Sequence, residues 1–97
     1  MSIVILGGNE CMERRYKDLC EEYGCSAKVF TKPSSNLRTK IGRPDLMVFF
    51  TGTMSHKMVH TALSEVSGGH TIVARSHSSS ISALKNILET HAQAQTA

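Results

Sequence analysis

The sequence contains no tryptophan and only two tyrosines and three phenylalanines in 97 residues. Proteins that bind single-stranded nucleic acid stack the bases on aromatic side chains, so this composition offers little for such a surface. The formal charge of +3 is small, and basic and acidic side chains are interleaved rather than grouped. Nucleic acid is therefore not expected as a partner.

Long apolar runs are also lacking. No stretch reaches the roughly 20 apolar residues that a membrane-spanning helix needs. No amino-terminal apolar segment follows a basic one, as it would in a secretory leader, and three cysteines, an odd number, do not suggest a disulfide framework. We therefore expect a cytoplasmic protein that does not contact a membrane.

A chain of 97 residues is too short to form two hydrophobic cores. Residues 1–91 are expected to form one domain, and residues 92–97 a frayed tail. A domain of this size buries a small fraction of its surface, and pairing across a twofold axis would bury more. We therefore expect a homodimer.

What the sequence does contain is an alternation of strands and helices. Residues 2–6, 26–30, 46–50 and 71–74 are short and apolar, which is typical of buried parallel strands. Apolar residues spaced three and four apart predict helices over residues 12–23, from the cap Ser55 to Gly68-Gly69, and over residues 81–91. The polar segment 31–43 is expected to connect the second and third strands, with a helical turn near residues 37–41.

Right-handed crossovers between these strands predict an α/β fold, a three-layer Rossmann-like half-sheet of four parallel strands ordered 2-1-3-4. The strand order reverses between the first and third strands. In open sheets of this kind, ligands bind outside the carboxyl ends of the strands at the reversal. The loops that follow the strands are therefore the candidate site.

Gly7 and Gly8 follow the first strand and could let a ligand approach the first helix, whose free N–H groups attract anions. The dinucleotide-binding spacing G-x-G-x-x-G is not met, because Glu10 and Met12 occupy the later positions. A ligand-binding loop and a plain tight turn both remain open.

His56 is the first candidate for a metal ligand. It stands on the first turn of a predicted helix, where the helix dipole disfavours imidazolium and keeps a ring nitrogen free. His60 lies one turn further and could pair with it, but no cysteine or carboxylate at a matching spacing completes a zinc site. The alternative is a plain surface histidine.

Arg75 opens a serine-rich loop in which its guanidinium could clamp a carboxylate or a phosphate. Ser76, Ser78, Ser79 and the following helix start would complete such an anion site. His77 could act as a second metal ligand or as a hydrogen-bond donor to a bound molecule. Serines before a helix are also common caps, so a capping loop is the alternative.

Three segments, ILGGNECMERRY, DLMVFFTGTMSHKMV and RSHSSSISALKNIL, resemble the bacterial domain-of-unknown-function family 2325 in order and spacing. The resemblance covers residues 2–90. The Gly-Gly, Ser-His and Arg-Ser pairs of the family map onto Gly7-Gly8, Ser55-His56 and Arg75-Ser76. The resemblance implies a Rossmann-like homodimer and, for some members, a b-type haem and oxygen activation.

The leading hypothesis is thus a homodimeric haem-binding protein that binds or activates dioxygen, with haem b held by His56 as axial ligand. Arg75 or Arg14 would pair with the propionates. Phe49, Phe50 or Met58 would supply apolar surface. The residues expected to contact the cofactor or ligand are Gly7, Gly8, Asn9, Arg14, Thr53, Ser55, Arg75, Ser76, His77 and Ser78.

Two other hypotheses belong to different functional classes. The first is a regulatory or sensory domain that binds a small anionic metabolite or nucleotide at the strand-end loops without catalysis. The second is a protein-interaction module. Binding of nucleotides or phosphorylated metabolites distinguishes the two, because a bound ligand stabilises the folded state.

Overall fold

The computed structural model describes residues 2–31, 44–54, 56–66 and 71–91. Within them the strands are β1 (Ser2–Gly7), β2 (Ser26–Phe30), β3 (Leu46–Phe50) and β4 (Ile72–Ser76). The helices are α1 (Glu13–Glu22), α2 (His56–Val66) and α3 (Ile81–His91). Short 3-10 turns, Glu10–Met12 and Thr51–Thr53, follow β1 and β3.

The four strands form one parallel sheet in the order β2-β1-β3-β4. Ile5 in β1 pairs with Val29 of β2 on one side and with Val48 of β3 on the other. The sequence-based prediction of a parallel sheet ordered 2-1-3-4 is confirmed. The reversal of strand order lies between β1 and β3, as expected.

Helices cover both faces of the sheet, so the predicted three layers are present. Alternate side chains of a strand point to opposite faces. Ile3, Ile5 and Val48 form one core cluster with the buried residues of α1 and α3. Val4 and Phe49 form a second cluster with the buried residues of α2.

Strand β3 has all five residues buried, as its uninterrupted apolar run predicts. Its position in the middle of the sheet explains this burial, since β3 is paired on both edges and covered on both faces. The carboxyl end of β3 therefore lies between the loops that follow β1 and β4.

A Schellman motif ends α1. Gly24 adopts a φ of 72°, its N–H donates to the Glu21 carbonyl at 2.9 Å, and the Cys25 N–H donates to the Cys20 carbonyl at 3.0 Å. The predicted stop at Gly24 is confirmed. Both thiols of this turn, Cys20 and Cys25, are buried in the core.

Two boundaries differ from the sequence-based prediction. Strand β4 starts at Ile72 and continues through Arg75 and Ser76, because these two residues pair with the last two residues of β3. Helix α1 begins at Glu13, one residue after its predicted start, and does not follow the glycines directly. A 3-10 turn comes first, capped by the Asn9 side chain, which accepts from the Cys11 N–H at 3.0 Å.

Several predicted features lie outside the described residues. They are the helical turn near residues 37–41, the cap Ser55, the stop at Gly68-Gly69 and the tail 92–97. No helix in the described part of the chain is long and apolar enough to cross a membrane.

Candidate ligand site at the carboxyl ends of the strands

The glycine pair after β1 packs against neighbouring loops. Gly7 and Gly8 have φ values of 86° and 88°, which side chains rarely adopt. A Cβ on Gly7 would lie 2.7 Å from Met54, and one on Gly8 would lie 2.9 Å from the Tyr16 ring. Protein packing around the two Cβ positions therefore accounts for both glycines, as the tight-turn alternative predicts.

The backbone donors of this turn are also engaged within the protein. The Gly8 N–H donates to Thr53 Oγ1 at 2.6 Å, and the Asn9 N–H donates to Tyr16 Oη at 3.3 Å. The Cys11 N–H donates to the Asn9 side chain. Three N–H groups that would otherwise cradle an anion are therefore already hydrogen-bonded.

Thr53 has a structural use of its own. Its hydroxyl accepts from Gly8 and donates to the Phe50 carbonyl at 3.0 Å, so one side chain links the turn after β1 to the end of β3. This link was not foreseen from the sequence, because nothing in the local pattern shows that residues 45 positions apart meet.

From the sequence, Tyr16 is only one of the apolar residues whose spacing predicts the helix over residues 12–23. It is fully buried, and its hydroxyl donates to the Ser79 carbonyl at 2.6 Å. A buried tyrosine needs a partner for its O–H group, which is the signal that could have identified it.

The loops after β3 and β4 lie against each other. Thr51 Oγ1 donates to the Ser76 carbonyl at 3.4 Å. Gly52 lies beneath His77, so that a Cβ on Gly52 would collide with the His77 carbonyl and approach its ring within 3.2 Å. The structure thus brings the predicted site residues Thr53, Ser76 and His77 to one edge of the sheet.

The serine-rich loop caps α3. Ser80 Oγ accepts from the Ala83 N–H at 3.1 Å, which is the bond of an amino-terminal cap. Ser78 Oγ donates to Ser80 Oγ at 3.2 Å, and Ser76 Oγ donates to the Ser78 carbonyl at 2.8 Å. The hydrogen bonds of this loop are therefore those of a capping loop, the alternative to the anion site.

Arg75 occupies the outer strand on the face that α2 covers. It pairs in register with Phe49, whose side chain packs in the same cluster as Met58 of α2. Arg75 is exposed and forms no ion pair with any carboxylate in the described part of the chain. Residues 7–9, 51–54 and 75–80 contain no aspartate or glutamate, and the nearest acidic residue in the sequence after β1 is Glu10.

The start of α2 shares this edge and this face with Arg75. The helix begins at His56, as predicted, after the 3-10 turn that follows the carboxyl end of β3. The imidazole of His56 and the whole of Ser55 lie outside the described residues. Among the side chains that are described, no group of three histidines, cysteines or carboxylates could hold a metal ion.

Arg14 lies apart from these loops. It is exposed on α1, in a hollow of about 390 Å³ whose other lining residues are Glu10, Cys11, Glu13 and Lys17. All of them belong to the first 3-10 turn and α1, so this hollow receives no residue from β3 or β4.

A model of the bacterial family DUF2325, described as "Uncharacterized protein conserved in bacteria", matches residues 2–91 of the chain. Neither a curated protein nor a solved structure matches it. The match spans every described strand and helix.

Proposed function

This chain belongs to the bacterial family DUF2325, and we propose from its own geometry that it binds a small anionic metabolite or nucleotide beside Arg75 and the start of α2. The main observation behind this proposal is that the Arg75 guanidinium is exposed, has no described carboxylate partner, and lies in a segment, residues 75–80, without acidic residues. A guanidinium in this position binds carboxylate or phosphate oxygens through two parallel hydrogen bonds. The proposed function is regulatory or sensory binding without catalysis.

The start of α2 supports the same position. Helix α2 has 11 residues, and its first N–H groups have no partner within the helix. These groups and the aligned peptide dipoles favour an anion at the helix start. The turn after β1 contributes less, because its N–H groups are bonded to Thr53, Tyr16 and Asn9.

The test is a binding assay with ATP, inorganic pyrophosphate and phosphorylated sugars. A ligand at 100 times its dissociation constant stabilises the fold by about 2.7 kcal/mol, which a thermal shift detects. Arg75→Gln is expected to weaken binding at least about tenfold, because it removes a charge-assisted contact.

Lys28→Gln is the matched control. Lys28 is an exposed cation on the other outer strand, β2, and its replacement changes the net charge by the same amount. It is expected to leave binding unchanged. Equal losses in Arg75→Gln and Lys28→Gln would show only a general charge effect, and no response to any probe would favour the protein-interaction module.

Haem b with His56 as axial ligand is the second candidate, because α2 begins at His56 on the edge and face that carry Arg75. The three apolar side chains expected to face the haem are not on the surface in the described part of the chain. Phe49 and Phe50 are 0% exposed and Met58 is 4% exposed, so all three belong to the core rather than to a binding surface. Haem would therefore require a second subunit to cover the macrocycle.

Haemin titration tests this candidate. We expect a Soret band that is weakened or shifted by His56→Ala and unchanged by His91→Ala, whose histidine ends α3. An identical spectrum in both variants would remove His56 as the axial ligand, and loss of the band in a dilute monomeric sample would support the shared pocket.

A further inference from the structure

Tyr16 contacts three parts of the strand-end edge at once. Its hydroxyl donates to the Ser79 carbonyl before α3 and accepts from the Asn9 N–H after β1. Its ring centroid lies 5.3 Å from that of Phe50, the last residue of β3. One side chain of α1 thus connects the ends of β1 and β3 with the loop that follows β4.

We infer that Tyr16 is a positioning residue of the strand-end site, and that its hydroxyl fixes the distance between the turn after β1 and the loop over residues 76–80. The inference rests on the proposed function, because Tyr16 would hold the loops of the proposed binding site in place. Tyr16 itself is buried and would not touch the ligand.

The hydrogen bonds of the loop support this role. Residues 76–79 are held at one end by Thr51, whose hydroxyl reaches the Ser76 carbonyl at 3.4 Å, and at the other end by Tyr16 at Ser79. These two bonds flank His77 and Ser78. The bond from Tyr16 is the shorter at 2.6 Å, and a hydrogen bond shielded from water is stronger than an exposed one.

The turn after β1 is fixed by the same hydroxyl. A Cβ on Gly8 would lie only 2.9 Å from the Tyr16 ring, and the Tyr16 hydroxyl oxygen accepts a hydrogen bond from the Asn9 N–H. Loss of the hydroxyl would leave two backbone groups without their partner, one in each loop. Each loop would then be free to move relative to the other.

Tyr16→Phe tests the inference, with Tyr23→Phe as the matched control. Both changes remove one hydroxyl from the α1 region, but the Tyr23 hydroxyl only approaches the exposed Glu89 at 3.5 Å. In the ligand-free protein, we expect the amides of Asn9 and Ser80 to exchange hydrogen about tenfold faster in Tyr16→Phe, as loss of one hydrogen bond allows. Exchange at these amides that matches that of Tyr23→Phe would overturn the inference.

A second measurement separates positioning from general stability. With ATP as the probe, Tyr16→Phe is expected to raise the dissociation constant about tenfold. Ile5→Val, a core change that also lowers stability, is expected to leave it unchanged. Equal weakening by both variants would make Tyr16 merely structural. If wild-type protein does not bind ATP, the proposed function loses this ligand, whereas the amide exchange still decides whether Tyr16 holds the loops.

Discussion

Gly8 shows how a single residue at the strand ends is chosen by its protein neighbours. Its φ of 88° is strained for any side chain, and a Cβ would also press on the buried Tyr16 ring and on Phe50. Gly24 has a similar φ of 72°, but nothing lies within 4 Å of its Cβ position. A comparison of the two glycines therefore distinguishes the cost of backbone strain, which both share, from the cost of crowding, which only Gly8 has.

We expect Gly8→Ala to lower the free energy of unfolding by about 2–4 kcal/mol, and Gly24→Ala by only about 1 kcal/mol. Both variants bear the backbone strain, and only the first adds the contacts with Tyr16 and Phe50. Urea denaturation measures both values. Equal costs at the two positions would mean that the tight contacts around Gly8 relax freely.

Cys20 gives the stability of the protein a defined pH dependence. Burial, followed by the nearby Cys25 and Glu21, raises the pKa of the Cys20 thiol from 9.0 to about 12. In the unfolded chain the thiol ionises at its ordinary pKa, so between pH 9 and 12 the unfolded state loses a proton that the folded state keeps.

Stability is therefore expected to fall as the pH rises through this window, by at most roughly 1.4 kcal/mol per pH unit from this group. Urea denaturation at pH 7.5, about 9 and about 10.5 should show the fall in wild type and a smaller one in Cys20→Ala. Cys11→Ala removes an exposed thiol and should keep the wild-type slope. A slope unaffected by Cys20→Ala would assign the fall to other groups.

Sequence patterns predicted which residues of the helices face the core, but not the polar contacts of the site. Tyr16 and Cys20 are four residues apart, a spacing that predicts one shared buried face of α1, and both are fully buried. The bonds from Thr53 to Gly8 and from Tyr16 to Ser79 join residues 45 and 63 positions apart. Such partners are chosen by the assembled sheet, and no local pattern specifies them.

At the scale of elements, pairing with β3 makes strand β4 two residues longer at its carboxyl end than the sequence pattern predicts. The short apolar run over residues 71–74 predicts an end at Ala74, since Arg75 and Ser76 are polar. Both still pair with β3 because β3 itself continues to Phe50. Arg75 consequently stands on a strand, which holds its backbone more firmly than a loop would.

The start of α3 depends on its cap. Ser80 accepts from the Ala83 N–H, whereas Ser82, in the first turn, is exposed. Ser80→Ala is expected to lower the free energy of unfolding by about 1 kcal/mol, and Ser82→Ala to leave it nearly unchanged or slightly raise it. Urea denaturation compares the two. Equal effects of the two substitutions would show that Ser80 contributes nothing as a cap.

At the scale of the whole molecule, strand order was predictable because few arrangements connect parallel strands by short right-handed crossovers. The uninterrupted apolar run of β3 identified the central strand, and the order β2-β1-β3-β4 followed from it. That order also located the candidate edge. The ligand was not predictable, since its identity depends on side chains that several loops present together.

The two outer strands of the sheet, β2 and β4, differ in the side chains that they expose. Among the described residues, the exposed large apolar side chain is Ile72, 49% accessible on β4, whereas β2 exposes Lys28. Lysine on an edge strand discourages pairing, and an exposed apolar edge invites it. We therefore expect a homodimer through β4, with twice the 10.6 kDa chain mass in sedimentation equilibrium.

Two substitutions on the outer strands test this interface. Ile72→Lys should give monomers, and Ser26→Lys, on β2, should leave the dimer intact. A wild-type protein that sediments only as the 10.6 kDa species at micromolar concentration would contradict the dimer and, with it, a haem site shared between subunits.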